Sequence, residues 1–488
     1  MSLSRDETEA ANDNFKWPKL ESERALLIIP KKYDDPYSQP KVDKHCKLDY
    51  DSDRGLLLVC DENDDVLDVM NIKDIIGASI QVQLNDSNDE SSPRSASSSN
   101  TTTSNGSSAN NEPISELPVD TQASAVLEIY VYPRKDVSKG KMKHILSSCG
   151  FGGGKKSKSK LLDEAIANTK APLKLGSRYA CHRQFQIAPA EDLKDITTVV
   201  RAIRNLASGS SKNNKLLVIV NPISGKRLGK HIYDTTLRPM LDEAGYDHDL
   251  FLTEYAGHAT TITQTTDITK YDGIVAVGGD GVLHEVFQSL KEEGMNAVVL
   301  SKLKIGHIGA GTSNGYSKSL TFACNERDTA IDYCFQVAKG QTVKMDISKY
   351  QTSTNEYYSF LTFSWGMIAD IDIESEVIRF VGNIRMDIWG VWKVLQFRTY
   401  KAKFSYLPAA APADPPSSGG TFKKIPSLKE SLQTTTKENS TSTENWVTEE
   451  TDFVLFWASH VTHAAEKTYH SPPTKLPAEG LFTIFLVR

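Results

Sequence analysis

The stretch Asp272-Gly273-Ile274-Val275-Ala276-Val277-Gly278-Gly279-Asp280-Gly281-Val282-Leu283-His284-Glu285-Val286 decides the fold in the middle of this 488-residue chain. Residues 273–277 form a continuous apolar run, which is typical of a strand in a parallel sheet that is covered on both faces. A Gly-Gly-Asp-Gly turn follows at residues 278–281. Ligands of open α/β sheets bind beyond the carboxyl ends of the strands, near helix N-termini that favour anions. This turn is therefore a candidate anion-binding site.

Two more apolar runs end in similar turns. Residues 216–220 are followed by Asn221-Pro222-Ile223-Ser224-Gly225-Lys226, and residues 303–308 by Gly309-Ala310-Gly311-Thr312-Ser313-Asn314-Gly315. Glycines let backbone N–H groups approach phosphate oxygens, and Lys226 adds positive charge. Helical patterns lie between the runs, near 231–244 and 284–293. The pattern predicts an α/β catalytic domain with a Rossmann-like parallel sheet.

Two common nucleotide motifs are excluded. Residues 225–231 are one residue too short for a P-loop and end in His231 instead of Ser or Thr. The dinucleotide fingerprint G-x-G-x-x-G fails because Asn314 stands where its third glycine belongs. The turns thus need another explanation.

Asp280 makes the middle turn a candidate catalytic centre. A carboxylate beside a phosphate cradle can accept a hydroxyl proton or hold Mg²⁺. The bare tetrapeptide Gly278–Gly281 is more commonly a simple tight turn, given the turn preferences of Gly and Asp. The flanking sequence is what favours the catalytic interpretation.

The flank 272–286 closely resembles the signature of the diacylglycerol-kinase-type catalytic domain. The resemblance extends to Asn221-Pro222-x-Ser224-Gly225-Lys226, to Thr253-Glu254 with His258-Ala259, and to Gly311-Thr312-Ser313-Asn314, in the family's order. Within that superfamily, Trp365-Gly366-Met367-Ile368-Ala369-Asp370-Ile371-Asp372-Ile373-Glu374-Ser375-Glu376, then Arg379, Gly382, Arg385 and Arg398-Thr399-Tyr400, resemble the sphingosine kinases. The resemblance covers residues 214–407 and 446–488.

The resemblance implies a phosphotransferase that uses ATP and Mg²⁺ to convert a sphingoid base to sphingosine 1-phosphate. It implies that Asp280 is the general base and that Asp372 binds the amino-alcohol head group, where a carboxylate suits a protonated amine. Arg379 and Arg385 would contact the ATP phosphates, and no metal ligand is assigned. The remaining implied ATP-binding residues are Asn221, Ser224, Lys226, Thr253, Gly278, Gly279, Gly281 and Thr312.

The chain is long enough for two or three domains. We expect an N-terminal α+β region at 1–213 whose strands, near 55–60, 125–131 and 183–188, and single amphipathic helix, at 190–207, resemble a pleckstrin-homology-like module. Within it, residues 85–112 contain no large apolar side chain, which predicts a disordered insertion at 85–117. The catalytic domain would span 214–345. A β-rich sandwich domain that binds lipid would span 346–488, with strands at 358–363, 453–458 and 481–487 and a loop insertion at 408–445.

Composition limits the partners and the compartment. The net charge of −6 lacks the basic excess that nucleic-acid binding needs. The six cysteines are far apart and form no C-x-x-C pair, which favours an intracellular protein. No apolar run approaches the roughly 18 residues of a membrane span. We therefore expect a cytoplasmic protein that contacts membranes peripherally, with a homodimer as a further expectation.

A lipid kinase needs an apolar slot for a long chain. Ile388, Val391, Trp392 and Leu395 recur at the spacing of one helix face. That face could line the slot, although an apolar stripe more commonly packs into a core. The acidic run of Asp370, Asp372, Glu374 and Glu376 would, without the resemblance, be interpreted as a solvated strand face.

The chain departs from the family pattern in three places. Ser313 replaces a usual glycine, where a Cβ would crowd the nucleotide if the backbone needs a positive φ. Gly309 replaces a frequent proline. The sequence also stops at Arg488, before a strand with an Asp-Gly-Glu segment that closes the nucleotide site in the family, so we expect either more natural chain or reduced activity. One alternative that follows is a catalytically impaired lipid-binding protein. Another is a ceramide or diacylglycerol kinase, because the resemblance implies that these enzymes share the phosphate centre.

Overall fold

The computed structural model describes residues 26–28, 45–61, 66–83, 124–136, 175–187, 193–208, 215–225, 227–289, 303–311, 313–381, 384–408, 446–465, 468–472, 474 and 480–488. The predicted insertion 85–117, residues 409–445, Lys226 and Thr312 lie outside these ranges, and only the backbone of Arg379 is described. The chain divides into two compact units. One comprises Met1–Lys215, Thr236–His248 and Cys334–Gln341, and the other Leu216–Thr235, Asp249–Tyr333 and Thr342–Arg488.

The first unit is built on antiparallel strands. They are β1 (Leu26–Ile28), β2 (His45–Asp51), β3 (Leu56–Asp61), β4 (Val66–Asn71), β5 (Ile75–Gln83), β6 (Ser124–Val131), β7 (Arg134–Asp136), β8 (Leu175–Arg178) and β9 (Arg183–Ile187). Seven of them form one sheet in the order β4-β3-β2-β1-β9-β6-β5, while β7 pairs with β8. The three strands predicted near 55–60, 125–131 and 183–188 are confirmed as β3, β6 and β9.

One helix, α1 (Leu193–Ser208), covers this sheet. Its apolar residues recur at helical spacing, and Val199 and Ile203 are buried against Leu57, Ile129 and Phe185 of the strands. The helix predicted at 190–207 is thereby confirmed to within a few residues. The pleckstrin-homology-like identity of the region stays a prediction.

A buried lysine lies in the same unit. Lys339, at the end of helix α7 (Ala330–Lys339), is 6% exposed and donates from Nζ to the carbonyl oxygens of Ile72 (2.7 Å) and Ile75 (2.8 Å). Burial lowers the pKa of this amine to about 7. A neutral amine has two N–H groups, and the two carbonyls satisfy both.

We expect Lys339 to make the free energy of unfolding rise between pH 7 and pH 9. Its pKa is about 7 in the folded protein and about 10.4 in an unfolded chain. The unfolded chain therefore binds the extra proton in this window, so stability increases with pH and is lost as pH falls towards 7. In urea unfolding, the wild-type chain should gain roughly 1–2 kcal/mol over Lys339→Met between these pH values. Lys344→Met, at an exposed lysine, should respond like wild type, and an identical pH response in Lys339→Met would contradict the expectation.

The central sheet is four-stranded. Its strands are β10 (Lys215–Val220), β11 (Asp247–Leu252), β12 (Gly273–Gly278) and β13 (Lys304–Gly309), in the order β11-β10-β12-β13. β10, β12 and β13 are parallel, with Val220 opposite Val277 and Gly278 opposite Gly309. All six residues of β12 are buried. The predicted α/β sheet is confirmed.

The helices connecting these strands are α2 (Gly229–Ile232), α3 (Arg238–Ala244), α4 (His258–Thr265), α5 (Asp280–Ser289) and α6 (Gly315–Ala323). The helical segment predicted near 231–244 is confirmed, and within it a π-helical segment, Tyr233–Leu237, joins α2 to α3. Pro239, which has no N–H to donate, lies where the π-helical segment meets α3. The helix predicted to begin at residue 284 begins instead at Asp280, directly after Gly279.

The C-terminal strands form small antiparallel sheets. They are β14 (Ser348–Gln351), β15 (Glu356–Ser359), β16 (Thr362–Gly366), β17 (Tyr400–Tyr406), β18 (Val447–Phe453), β19 (Leu455–Ser459), β20 (His463–Ala465), β21 (Thr468–Tyr469) and β22 (Thr483–Val487). The sheets are β14-β15, β16-β19-β22, β17-β18 and β20-β21. The strands predicted at 358–363 and 453–458 are each divided in two, because the chain changes sheet near Phe360 and Val454. A sandwich stays a prediction.

Two helices interrupt these strands. α8 (Met367–Glu374) contains most of the acidic run, so the interpretation of that run as a strand face is wrong. α9 (Ile384–Gln396) contains the predicted apolar face, but that face does not form a core. Val391 is 64% exposed and Leu395 is 74% exposed, whereas Lys393 is 5% exposed. Across the described part of the chain, no helix has the length and apolar character needed to cross a membrane.

Candidate functional site

Four strand ends lie side by side at the carboxyl edge of the central sheet. The N–H of Asn221, after β10, donates to the carbonyl of Val277 (2.9 Å), and the N–H of Ala310, after β13, donates to the carbonyl of Gly278 (2.7 Å). The N–H of Thr253, after β11, donates to the carbonyl of Val220 (2.9 Å). The structure therefore brings the three predicted turns, and the buried Thr253, to one edge.

Glycine lets the backbones of these turns touch. A Cβ on Gly311 would lie 2.4 Å from the Cα of Gly279, and a Cβ on Gly225 would lie 2.5 Å from the carbonyl oxygen of Ala310. Gly225 also has φ +54°, which disfavours other residues. The Ser224 hydroxyl lies 3.8 Å from the Cβ position of Gly279, and nothing lies within 4 Å of that of Gly281. The result is an open cradle with a floor of bare backbone, which suits phosphate.

Asp280 is fixed by the helix that follows the third turn. Its Oδ2 accepts from the N–H of Gly315 (2.8 Å) and its Oδ1 from the N–H of Tyr316 (3.1 Å), at the start of α6. A carboxylate is stabilised at a helix N-terminus by the unpaired N–H groups there. Each carboxylate oxygen has a second lone pair that remains available. Asp280 is thus rigidly held and can still accept a proton.

A buried histidine lies behind Asp280. His307 Nδ1 is 4.0 Å from Asp280 Oδ1 and 2.7 Å from Ser317 Oγ. Burial lowers the pKa of His307, against the opposing effect of Asp280, and the ring is neutral at neutral pH. The Ser317 hydroxyl donates to the carbonyl of His307 (3.0 Å), so we assign the ring proton to Nδ1, where Ser317 Oγ can accept it.

Sequence reasoning missed three residues that support the site. Asn314 binds Gly311 through both ends of its amide: Oδ1 accepts from the Gly311 N–H (2.8 Å) and Nδ2 donates to its carbonyl (3.0 Å). Its φ is +48°. Asparagine adopts this left-handed conformation more readily than most residues, so the residue type was a usable signal in the sequence. Glu285 accepts from the N–H of Ala259 at the start of α4 (3.0 Å). His307 is the third, and its spacing gave no signal.

Ser313 does not have the conformation that would make its side chain a problem. Among the described residues other than glycine, a positive φ occurs at Arg227, Asn314, Asn325 and Phe397. Ser313 is absent from this set and is exposed. The condition for crowding by the Ser313 Cβ, a positive φ at this residue, is therefore not met.

The remaining predicted residues lie elsewhere or outside the description. Lys226, Thr312 and the side chain of Arg379 are outside the described part. Arg385, on α9, forms an ion pair with Glu376. Asp372, on α8, is exposed. Their predicted roles in binding ATP and the lipid head group stay predictions.

Several known proteins are similar to parts of this chain. Residues 215–350 match the family of the diacylglycerol kinase catalytic domain. Sphingosine kinase 1 of Arabidopsis thaliana is 31% identical over 278 residues, which are 56% of this chain and 56% of that protein. Human ceramide kinase is 32% identical over 212 residues, 41% of this chain and 39% of that protein. A diacylglycerol kinase structure from Bacillus anthracis str. Sterne has a TM-score of 0.38 at 17% identity, covering 57% of this chain and 77% of that one.

This chain therefore spans about half the length of the Arabidopsis relative. The predicted resemblance to sphingosine kinases is confirmed, as is the predicted catalytic domain type.

Proposed function

We propose that this relative of the sphingosine kinases, with its diacylglycerol-kinase-type domain at 215–350, is an ATP-dependent lipid kinase that converts sphingosine or a related sphingoid base to its 1-phosphate. The observation that carries the proposal is the position of Asp280. It lies between a glycine cradle and the N-terminus of α6, with both oxygens oriented by backbone N–H groups. A carboxylate suited to act as the base therefore adjoins a cradle that would suit phosphate.

In the proposed reaction Asp280 accepts the proton of the lipid's primary hydroxyl. The hydroxyl oxygen forms a bond to the γ-phosphorus as the bond from that phosphorus to the bridging oxygen of ADP breaks. Phosphoryl transfer depends on positioning and charge neutralisation more than on covalent chemistry. Orientation by two hydrogen bonds therefore suits Asp280 to the role.

The nucleotide would bind along the cradle. Backbone N–H groups at Gly278, Gly279 and Gly281 would face the phosphates, with Asn221, Ser224 and Thr253 beside them. Lys226, Thr312 and Arg379 are assigned to the same role by the resemblance alone. Arg385 would have to exchange Glu376 for phosphate oxygens, which are strong acceptors for a guanidinium.

Mg²⁺ fits the site as an ion that arrives with ATP. Within the described ranges, no group of three or more His, Cys, Asp or Glu side chains could hold a metal. Mg²⁺ keeps several waters and usually binds one or two carboxylates together with substrate phosphates. Held by the phosphates and water, the ion would supply charge neutralisation and leave Asp280 available as the base.

The lipid chain would cover the exposed apolar side of α9. Met386, Asp387, Gly390, Val391, Val394 and Leu395 line one concave surface there. Exposed apolar patches of this kind commonly mark lipid or partner sites. The same helix would support peripheral contact with a membrane from the cytoplasm. A homodimer stays a prediction.

Replacing Leu395 by Asp should raise the KM for a long-chain lipid about tenfold, because one lost apolar contact costs roughly 1.5–3 kcal/mol. The fold should be retained, since Leu395 is 74% exposed. The KM values for lipid and for ATP, measured with Ile347→Asp as the control, check this. Ile347 is an exposed aliphatic residue outside the helix, 45% exposed. An unchanged lipid KM would remove α9 from the lipid site.

A substrate panel tests the function. Labelled γ-phosphate should transfer to sphingosine in preference to ceramide and diacylglycerol, because only sphingosine has a protonated amine for Asp372. Preference for ceramide would instead favour the second candidate, which the 32% identity to human ceramide kinase supports. Lipid binding without ATP binding would identify a catalytically impaired lipid-binding protein.

A further inference from the structure

Helix α9 is inverted relative to an ordinary amphipathic helix. Among its described side chains, the apolar Val391, Trp392 and Leu395 are exposed, whereas Lys393 is buried. An isolated ammonium is too costly to bury, so a buried lysine that keeps its charge must be paired with carboxylates and hydrogen-bonded. The partners of Lys393 therefore identify the element to which α9 is attached.

Lys393 binds two carboxylates of α8. Its Nζ lies 2.7 Å from both oxygens of Glu374 and 3.5 Å from Asp370 Oδ2. Asp370 and Glu374 are four residues apart, on one face of the helix. The ammonium hydrogen bonds lower the pKa of Glu374, which keeps its carboxylate charged.

Three further side chains complete the network. Trp389 Nε1 donates to Glu374 Oε2 (3.2 Å), and the Tyr400 hydroxyl donates to Asp370 Oδ2. Arg398 Nη1 lies 3.9 Å from the same Asp370 oxygen. Lys393 and Arg398 thus balance the charges of Asp370 and Glu374. The contacts of Lys393 and Trp389 hold α8 against α9.

Asp372 is excluded from this network. It lies two residues from both Asp370 and Glu374, about 200° around the helix, so it points away from Lys393. Glu376, beyond the helix, is paired with Arg385. Among the described side chains, Asp372 is the carboxylate of this acidic run that has no cationic partner.

We propose that Lys393 is a positioning residue that sets selectivity for a cationic head group. It neutralises Asp370 and Glu374 and fixes the rotation of α8, so that a single carboxylate, Asp372, is offered to the lipid amine. The inference rests on the proposed function, since it concerns how the sphingoid base is recognised. Without Lys393, Asp370 and Glu374 would compete with Asp372 for the lipid amine. The lipid would then bind with its hydroxyl away from the position that the reaction needs.

Steady-state kinetics of the full chain test this. Lys393→Met should raise the KM for sphingosine about tenfold, because Asp370 and Glu374 would then compete with Asp372 for the amine. The KM for ATP should stay within about twofold. Lys393→Arg should restore most of the lost sphingosine affinity, because it keeps the charge. Adding Glu374→Gln to Lys393→Met should recover part of it, by removing one competing charge.

Lys349→Met is the matched control, because Lys349 also forms a close ion pair, 2.6 Å from Glu356, but is half-exposed on another element. It should leave both KM values unchanged. An unchanged sphingosine KM in folded Lys393→Met would overturn the inference. A parallel rise of both KM values with a lower unfolding temperature would also overturn it, by showing a merely structural role. Wild-type chain that fails to phosphorylate sphingosine would instead defeat the proposed function, and the inference with it.

Discussion

Asp280→Asn should lower kcat for lipid phosphorylation by about 10²–10⁴-fold, the usual contribution of a positioned general base. An amide cannot take up the hydroxyl proton. It also presents an NH₂ group to one of the two N–H donors of α6 that the carboxylate now accepts from, at Gly315 (2.8 Å) and Tyr316 (3.1 Å). The substitution therefore affects both the chemistry and the local structure.

Two measurements separate these effects. ATP binding and the unfolding temperature of Asp280→Asn report the structure, and single-turnover transfer reports the chemistry. Asp267→Asn is the matched control, because Asp267 caps a 3₁₀ turn through the Thr269 N–H and asparagine caps as well. Undiminished transfer in folded Asp280→Asn would refute the assignment of Asp280 as the base.

Gly311→Ala should abolish measurable ATP binding and destabilise the protein by roughly 1–3 kcal/mol, as overpacking does. The new methyl would lie 2.4 Å from the Gly279 Cα, 2.9 Å from the Gly279 nitrogen and 3.2 Å from Asn314 Oδ1. All three positions line the cradle, and backbone cannot move aside as a flexible side chain can. The second and third turns would separate.

Calorimetric ATP titration and thermal unfolding check this expectation. Gly390→Ala provides the stability control, since its Cβ would meet Ile371 Cδ1 at an ordinary 3.8 Å and alanine favours the helix. ATP binding by Gly311→Ala with wild-type affinity would show that the contact between Gly279 and Gly311 does not shape the nucleotide site.

The local parts of the site could be predicted from the sequence. Apolar runs ending in glycine turns specify parallel strands and their loops, and the central sheet has these elements. The partners of the turns could not be predicted in this way. Asp280 is held by N–H groups 35 and 36 residues later, and Gly311 touches Gly279. Such contacts depend on sheet register, which no local pattern encodes.

The prediction that the apolar face of α9 packs into a core failed for a different reason. Periodicity shows that a helix has an apolar face but does not show what covers it. The division of the C-terminal strands near Phe360 and Val454 was also hidden, because a buried apolar residue continues the pattern of a strand even where the chain changes sheet.

The exposed side chains of α9 also have a thermodynamic consequence. Hydration of apolar surface raises the heat capacity of the free protein, and covering Val391, Trp392 and Leu395 with a hydrocarbon chain would release that water. Association with a long-chain lipid should therefore have a negative heat-capacity change, and its enthalpy should become more favourable on warming. The exposed apolar side of α9 should therefore make the enthalpy of lipid binding depend on temperature.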